Sequence, residues 1–357
     1  MDMNAQTDVD LRKLEALTGK VMTDAAGAGA GLLAYIGDQT GVYRAMVALG
    51  RALPAQIASE AGVDERYLRE WLGAQAAAGY ITFHGEDETW SLSPEQALVF
   101  AAEGHPACMQ GYFQLNLSLA STYEKAVETF RTGAGRGWGE HSDCLFCGVG
   151  RFFETGYKTY LLEDWIPALD GVAEKLQRGA KVADVGCGHG SSTILMAQAW
   201  PLSRFEGLDF HAPSIAAARV HAEKAGVARN TVFKTAGAAD YEGGGYDLVC
   251  LFDALHDMGD PVGAARHIRQ SLKPDGALML VEPLAGDSVA ENLHLIGQIF
   301  YQGSTLICTP AARAQGELQL GAQAGEKRLT AVLLEAGFTR VRRATQTMTN
   351  MVLEARP

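Results

Sequence analysis

At 357 residues, 47% of them hydrophobic, the chain is long for one domain and can bury a large core. A net charge of −12 disfavours nucleic acid phosphates and anionic membrane surfaces as partners of the chain as a whole and favours small molecules. Six cysteines are too sparse for a disulfide framework at this length, and no charged-then-apolar leader opens the sequence, so a cytoplasmic protein is expected. The longest near-apolar run, Ala25 to Gly37, falls short of the ~20 residues that span a bilayer and reads as a packed helix start, so no membrane partner is expected. Two helices follow in residues 54–72, the first closed by Gly62 as a left-handed cap and the second opened by Asp64 as an N-cap. Gly79-Tyr-Ile-Thr-Phe and Glu88-Thr-Trp-Ser-Leu then supply a β-wing, which makes residues 1–102 a winged-helix domain. Between residues 29 and 100 it carries four arginines against nine acids, the reverse of the basic face that phosphate neutralisation demands of a DNA reader. Nucleic acid is therefore disfavoured, and the domain is expected to serve dimerisation and to shape a substrate pocket. Residues 103–170 read as a mainly helical connector and lid, interrupted by the glycine-rich loop 132–139.

From Lys181 onward strands and helices alternate, with strands at Lys181–Val185, Arg204–Asp209, Thr231–Lys234, Tyr246–Phe252 and Ala277–Glu282. Such alternation predicts an α/β fold with a Rossmann-like parallel sheet and right-handed crossovers. The rhythm breaks for a helical insertion at 284–316, and a helix over Glu326–Ala336 leads into two final strands, Thr339–Ala344 and Asn350–Glu354. The first strand of this region runs into Gly186, Gly188 and Gly190, spaced at every second residue, and such a turn leaves room for a ligand to approach the backbone. Asp184 stands two residues ahead of it, and Asp209 ends the next strand, where a doubly wound sheet places an acid that accepts hydrogen bonds from a ribose diol. The third glycine arrives one residue early for the nicotinamide fingerprint, which disfavours a dinucleotide.

The D-x-G-x-G-x-G spacing resembles the first motif of class I S-adenosylmethionine (SAM) methyltransferases. A sheet that ends on two adjacent strands, giving seven in all with an antiparallel end, resembles theirs as well. The resemblance implies SAM as cofactor and S-adenosylhomocysteine as product, with residues 171–357 as the cofactor-binding catalytic domain. It implies that the loop, including Cys187, lies against the methionine part and that Asp209 and Phe210 meet the ribose side. Gly237 and Ala238 follow the third strand, where the adenine is bracketed. Phe252 and Asp253 close the fourth strand beside the cofactor, and Tyr157 closes over the methionine moiety.

Asp253-Ala-Leu-His256-Asp257 resembles the Leu-His-Asp-Trp motif of small-molecule O-methyltransferases, which implies His256 as general base and Glu282, ending the fifth strand, as the carboxylate that orients it. The chain departs from that pattern in carrying Phe252 where those enzymes place a lysine, and Met258 in place of the tryptophan. Asp253 to Asp260, Cys308-Thr-Pro310, Gln323-Ala-Gly-Glu326, Glu335-Ala-Gly-Phe338 and Leu353-Glu-Ala-Arg356 resemble bacterial winged-helix methyltransferases, some of them labelled transcriptional regulators. Related O-methyltransferases imply a homodimer built through the N-terminal domain. The chemistry expected is an in-line displacement on the sulfonium methyl. A histidine base of pKa ~6.5 faces a deficit of roughly 5 kcal/mol against a phenol of pKa ~10, and roughly 12 kcal/mol against an alcohol. Phenols, enols and similarly acidic groups are the expected acceptors.

His141, Trp138 and Phe146 are expected to line the substrate side. His141-Ser-Asp-Cys144-Leu-Phe-Cys147, with His105 and Cys108 upstream, also has spacing compatible with zinc or a thiophilic metalloid, although no metal ligand set is assigned. Two competing readings therefore stay open: a SAM-binding transcriptional regulator, and a thiol or metalloid methyltransferase or metal-binding protein that uses His141, Cys144 and Cys147.

Overall fold

The computed structural model describes residues 9–357. The first eight residues of the expected 1–102 domain lie outside the described residues. The chain divides into two compact units, one running up to Leu117 and the other from Ser118 to Pro357. The expected connector is thus shared, with residues 103–117 in the first unit and the rest in the second.

The first unit opens on a helix, Leu11–Gln39, whose first turn is capped by the Asp10 carboxylate accepting from the amides of Arg12 and Lys13. Helices Val42–Leu49, Pro54–Ala61 and Glu65–Ala77 follow. Gly62 caps the third of the four in the left-handed conformation, and Asp64 accepts from the amides of Arg66 and Tyr67 at the start of the last. Strand β1 (Thr82–His84) pairs antiparallel with β2 (Thr89–Ser91) as the wing. Tyr43, Met46, Ile57 and Leu72 form the centre of this unit's core, and the Tyr43 hydroxyl donates to Gln75 Oε1 at 2.6 Å. All four arginines between 29 and 100 are paired with acids of the same unit: Arg44 with Asp38, Arg51 with Glu86 and Asp87, Arg66 with Glu70, and Arg69 with Glu65. The cations of residues 29–100 are thus already partnered.

The second unit is a seven-stranded sheet in the order β5-β4-β3-β6-β7-β9-β8. Its strands are β3 (Lys181–Val185), β4 (Arg204–Asp209), β5 (Thr231–Thr235), β6 (Tyr246–Phe252), β7 (Leu272–Pro283), β8 (Arg340–Gln346) and β9 (Asn350–Arg356). The first five in sequence pair in parallel, and β9 runs antiparallel between β7 and β8. Every residue of β6 is buried, as a central parallel strand covered on both faces must be. Side chains alternate between two apolar layers, with Val182, Leu248, Cys250 and Phe252 in one and Ala183, Val185, Val249 and Leu251 in the other. The order reverses between β3 and β6, so their carboxyl ends flank the crevice where an open α/β sheet takes ligands.

The expected insertion resolves into a 3₁₀ turn at Ala290–Asn292, a helix Leu295–Gly303, a π-helical segment Ser304–Cys308 and a helix Thr309–Gln315. A second π-helical stretch, Tyr157–Trp165, follows the helix Asp143–Gly156. Among the described residues no helix is long and apolar enough to cross a membrane.

Trp165 is buried against Tyr157, Tyr160 and Phe252, with ring centroids about 6.1–6.2 Å away, and its indole N–H has no partner. Trp165→Ala is expected to cost about 3–5 kcal/mol in urea unfolding. Trp165→Phe, which keeps the aromatic packing and removes the orphaned donor, is expected to cost clearly less.

Candidate active site

The Gly186–Gly190 turn is fastened to the neighbouring strand rather than left free. The amides of Gly186 and Cys187 donate to the Leu208 carbonyl at 2.7 and 3.1 Å. Asp209, one residue on, accepts from the Gly188 amide at 2.9 Å and from its own downstream His211 amide at 2.8 Å. Burial pushes the Asp209 carboxyl up, and these two amides partly offset it. All three glycines take positive φ, but they do so for different reasons. A Cβ on Gly188 would meet nothing within 4 Å, so this residue leaves space open to the cleft. A Cβ on Gly190 would lie 2.8 Å from the Phe233 ring, so Gly190 serves helix-to-sheet packing.

A cavity of about 260 Å³ opens over this turn. Gly186, Cys187, Gly188, Asp209, Phe210, Gly237, Ala238, Phe252, Asp253 and Tyr157 all line it, as do Trp138 and Phe146. The Tyr157 ring stands edge-on to Phe252 at 5.2 Å, and burial raises its phenol well above the usual value. Trp138 and Phe146 lie 5.2 Å apart, and Phe146 continues onto His211 at 4.7 Å, giving one wall an aromatic surface.

Several expected residues lie behind this wall instead of on it. Asp184 is buried, and its Oδ2 accepts from Ser192 Oγ and Thr193 Oγ1, both at 2.6 Å. It therefore ties β3 to the helix Ser191–Ala199. Burial lifts its carboxyl to about 6 despite these two hydrogen bonds, and Oδ1 has no partner. His141 is buried with Nε2 unpartnered, and burial, with Arg136 nearby, lowers its pKa to about 4. Its ring lies behind Trp138 at 6.2 Å, so the imidazole is neutral and set back from the cleft. Cys144 and Cys147 do not converge with it into a ligand cluster. Among the described residues the group able to hold a metal is His256, Asp257 and Cys308. The alternative reading of a metal-binding protein built on His141, Cys144 and Cys147 finds no such cluster among the described residues: the two cysteines lie on one turn of a helix, and local spacing alone does not bring the three donor atoms together.

The carboxyl ends of β6 and β7 bring the titratable groups together. Glu282 is fully buried, its Oε1 accepting from the Leu255 amide at 2.9 Å and its Oε2 contacting His256 Nδ1. His256 is itself buried, and Nε2 faces Asp257 Oδ1 at 3.2 Å. Burial opposes a charged ring, but Glu282, Asp257 and Cys308 outweigh it and hold the His256 pKa well above the ordinary imidazole value. Of these groups Asp257 reaches the cleft wall, and its carboxyl is pushed up by burial. Asp253 has φ +48°, an uncommon conformation for a residue with a side chain. It is held there by Asn350, whose Nδ2 donates to Asp253 Oδ1 at 2.8 Å, while Oδ2 has no partner. The sequence marked Asp257 only as part of a motif and gave no contact for Cys308. His189, Ser191 and Gln315 also line the cleft without having been anticipated.

Residues 157–318 match a methyltransferase domain family, and residues 28–101 match a Rv2258c-like winged helix-turn-helix domain. The chain carries a methyltransferase domain behind a winged helix-turn-helix domain. It is 37% identical over 99 residues to the ubiquinone biosynthesis O-methyltransferase of Cronobacter sakazakii, an overlap of 28% of this chain and 40% of that one. It thus spans less than half the length of that relative. The mitomycin 7-O-methyltransferase MmcR has the same fold at a TM-score of 0.72 and 19% identity, over 97% of this chain and 100% of that one. Human N-acetylserotonin methyltransferase, solved in complex with SAM, superposes at 0.70 and 16% identity over 99% of both chains.

Since the folded-state pKa of Asp184 lies above its unfolded value, this group's contribution to stability is greatest when it is protonated and is lost as pH rises between about 4 and about 6. Asp184→Asn keeps an acceptor oxygen without the charge. In urea unfolding, the variant is expected to gain on the order of 2–3 kcal/mol relative to the parent chain across that window.

Proposed function

We propose that this chain is a SAM-dependent methyltransferase acting on a small-molecule acceptor, with a phenol, enol or similarly acidic hydroxyl favoured. The observation that carries this reading is the cleft at the switch point of the sheet, where the open Gly188 turn, a buried acid on the next strand and a half-aromatic wall share one cavity. The residues present fit the cofactor. Asp253 lines the cleft and its buried Oδ2 has no partner, so this carboxylate is assigned as the acceptor for the ammonium of a methionine moiety, since buried charges require such partners. Asp209 is placed for the ribose hydroxyls, with Phe210, Gly237 and Ala238 toward the base. Bound SAM supplies an electrophilic methyl and a neutral thioether leaving group. Trp138 and Phe146 would hold the acceptor flat against that methyl and exclude water.

In the same reading His256 and Glu282 handle the acceptor's proton. Asp257 is the member of the group that meets the cleft, so the proton reaches His256 Nε2 on its Asp257 side, and Glu282 holds the resulting imidazolium in place. The charge pairing of all four arginines in residues 29–100 favours this enzyme over a DNA-binding regulator. The protein is read as cytoplasmic and homodimeric through the N-terminal domain. Leu11, Leu14, Leu17 and Val21 form an exposed apolar stripe on the first helix, which a partner copy would cover. Sedimentation is expected to give a dimer, and Leu14→Glu with Leu17→Glu a monomer.

The deciding experiment is calorimetry with SAM and S-adenosylhomocysteine, followed by labelled-methyl transfer to a panel of phenols, enols and thiols. Asp209→Ala is expected to weaken cofactor binding about 10–100-fold, the worth of its charge-assisted hydrogen bonds. His256→Gln is expected to slow transfer by about 10²–10⁴ with cofactor affinity retained. Absence of heat with either nucleoside would overturn the reading, and unchanged turnover in His256→Gln would reduce that residue to scaffolding.

A further inference from the structure

Cys308 has no part in methyl transfer as described above, yet it is buried against the group that does. It ends the π-helical segment Ser304–Cys308, and such segments recur where a backbone must aim a side chain at a functional site. Burial and the Asp257 carboxylate beside it push its thiol up to about 12, while the His256 ring draws it down. The three donor atoms, one nitrogen, one oxygen and one sulfur, lie within 4.8 Å of one another. Although Asp257 Oδ1 is only 3.2 Å from His256 Nε2, it receives no aligned hydrogen bond and is buried without a donor. An ion pair alone does not explain that oxygen; an additional positive centre between the three atoms would.

The surroundings match what a metal site requires beyond its ligands. Glu282 Oε2 holds His256 Nδ1, which leaves Nε2 as the nitrogen free to bind, the carboxylate–histidine arrangement seen behind metal-bound imidazoles. Glu282 is in turn fixed by the Leu255 amide. Tetrahedral zinc with bonds of about 2.0–2.3 Å sets its ligands roughly 3.3–3.8 Å apart, so closing the cluster needs movement of about 1 Å. Asp257 also lines the cleft, so a fourth position would open toward it.

We propose that His256 Nε2, Asp257 Oδ1 and Cys308 Sγ form a three-ligand site for one divalent cation of the zinc class, open to the cleft at the fourth position. A thiolate, an imidazole and a carboxylate suit zinc or cobalt better than magnesium or calcium, which prefer oxygen ligands. Binding releases the Cys308 thiol proton, and any proton on Nε2, to solvent. This goes beyond the methyl-transfer reading. The cation and the acceptor's proton compete for the same nitrogen, so the loaded protein is expected to be blocked in transfer.

The test is cobalt(II) titration of the full-length, chelator-treated protein, followed by optical absorption with neither SAM nor acceptor present. One cobalt per chain is expected, with visible bands of a tetrahedral ion and a thiolate-to-metal charge-transfer band in the near ultraviolet. Cys308→Ser is expected to abolish the charge-transfer band, and Cys144→Ser and Cys147→Ser to leave it intact. Should Cys308→Ser fail to fold, Asp257→Asn is expected to keep that band but need about tenfold more cobalt to reach it, the worth of one charged ligand contact. Absence of the band in the parent chain, its survival in Cys308→Ser, or unchanged affinity in Asp257→Asn would overturn the proposal. The methyl-transfer reading fails separately, by calorimetry without metal.

Discussion

The Asp209 carboxylate joins the two halves of the cleft wall over the glycine turn. By accepting from the Gly188 amide on one side and the His211 amide on the other, it fixes the turn after β3 to the end of β4. The Leu208 carbonyl adds two further hydrogen bonds from Gly186 and Cys187. Without these anchors, a turn with three positive-φ glycines would have many conformations to lose on binding a ligand. With them it is held in one shape, and the open face at Gly188 is set before any ligand arrives.

A second constraint acts at the other lip of the crevice. Asp253, Asp257, Glu282 and His256 sit within a few residues of the ends of β6 and β7, three acids around one imidazole in a region largely removed from water. Such a cluster cannot hold three full negative charges and stay folded unless positive charge is supplied. Burial is the main cause of the raised Asp253 and Asp257 carboxyls; Glu282 adds to it and the His256 ring draws both down. Asp253 Oδ2 and Asp257 Oδ1 are buried there without a hydrogen-bond donor.

Much of this framework was legible before folding. The limits of β3, β4 and β6 agree with those expected, because each is a short stretch carrying buried apolar side chains and bounded by glycine, aspartate or another turn-forming residue. β7 begins earlier than expected because Leu272 pairs with Tyr246 ahead of an irregularity in the ladder, a cross-strand contact that local pattern does not encode. Gly186, Gly188 and Gly190 looked equivalent in sequence, yet only Gly188 faces unfilled space, since the role of Gly190 depends on Phe233, forty-three residues away. Asp184 looked like a ligand contact and is a strut, because Ser192 and Thr193 capture it first.

By itself the sequence determined the order of strands and helices, the winged-helix character of the first domain and the glycine turn followed by an acid, since each rests on periodicity, caps or backbone freedom within a few residues. Tertiary structure alone decided which polar atoms meet. Cys308 reaches His256 across fifty-two residues, Asn350 reaches Asp253 across ninety-seven, and His141, Cys144 and Cys147 form no ligand cluster among the described residues. Those pairings follow from where the sheet and the π-helical segment place each backbone, and side-chain chemistry depends on distances that no local spacing specifies.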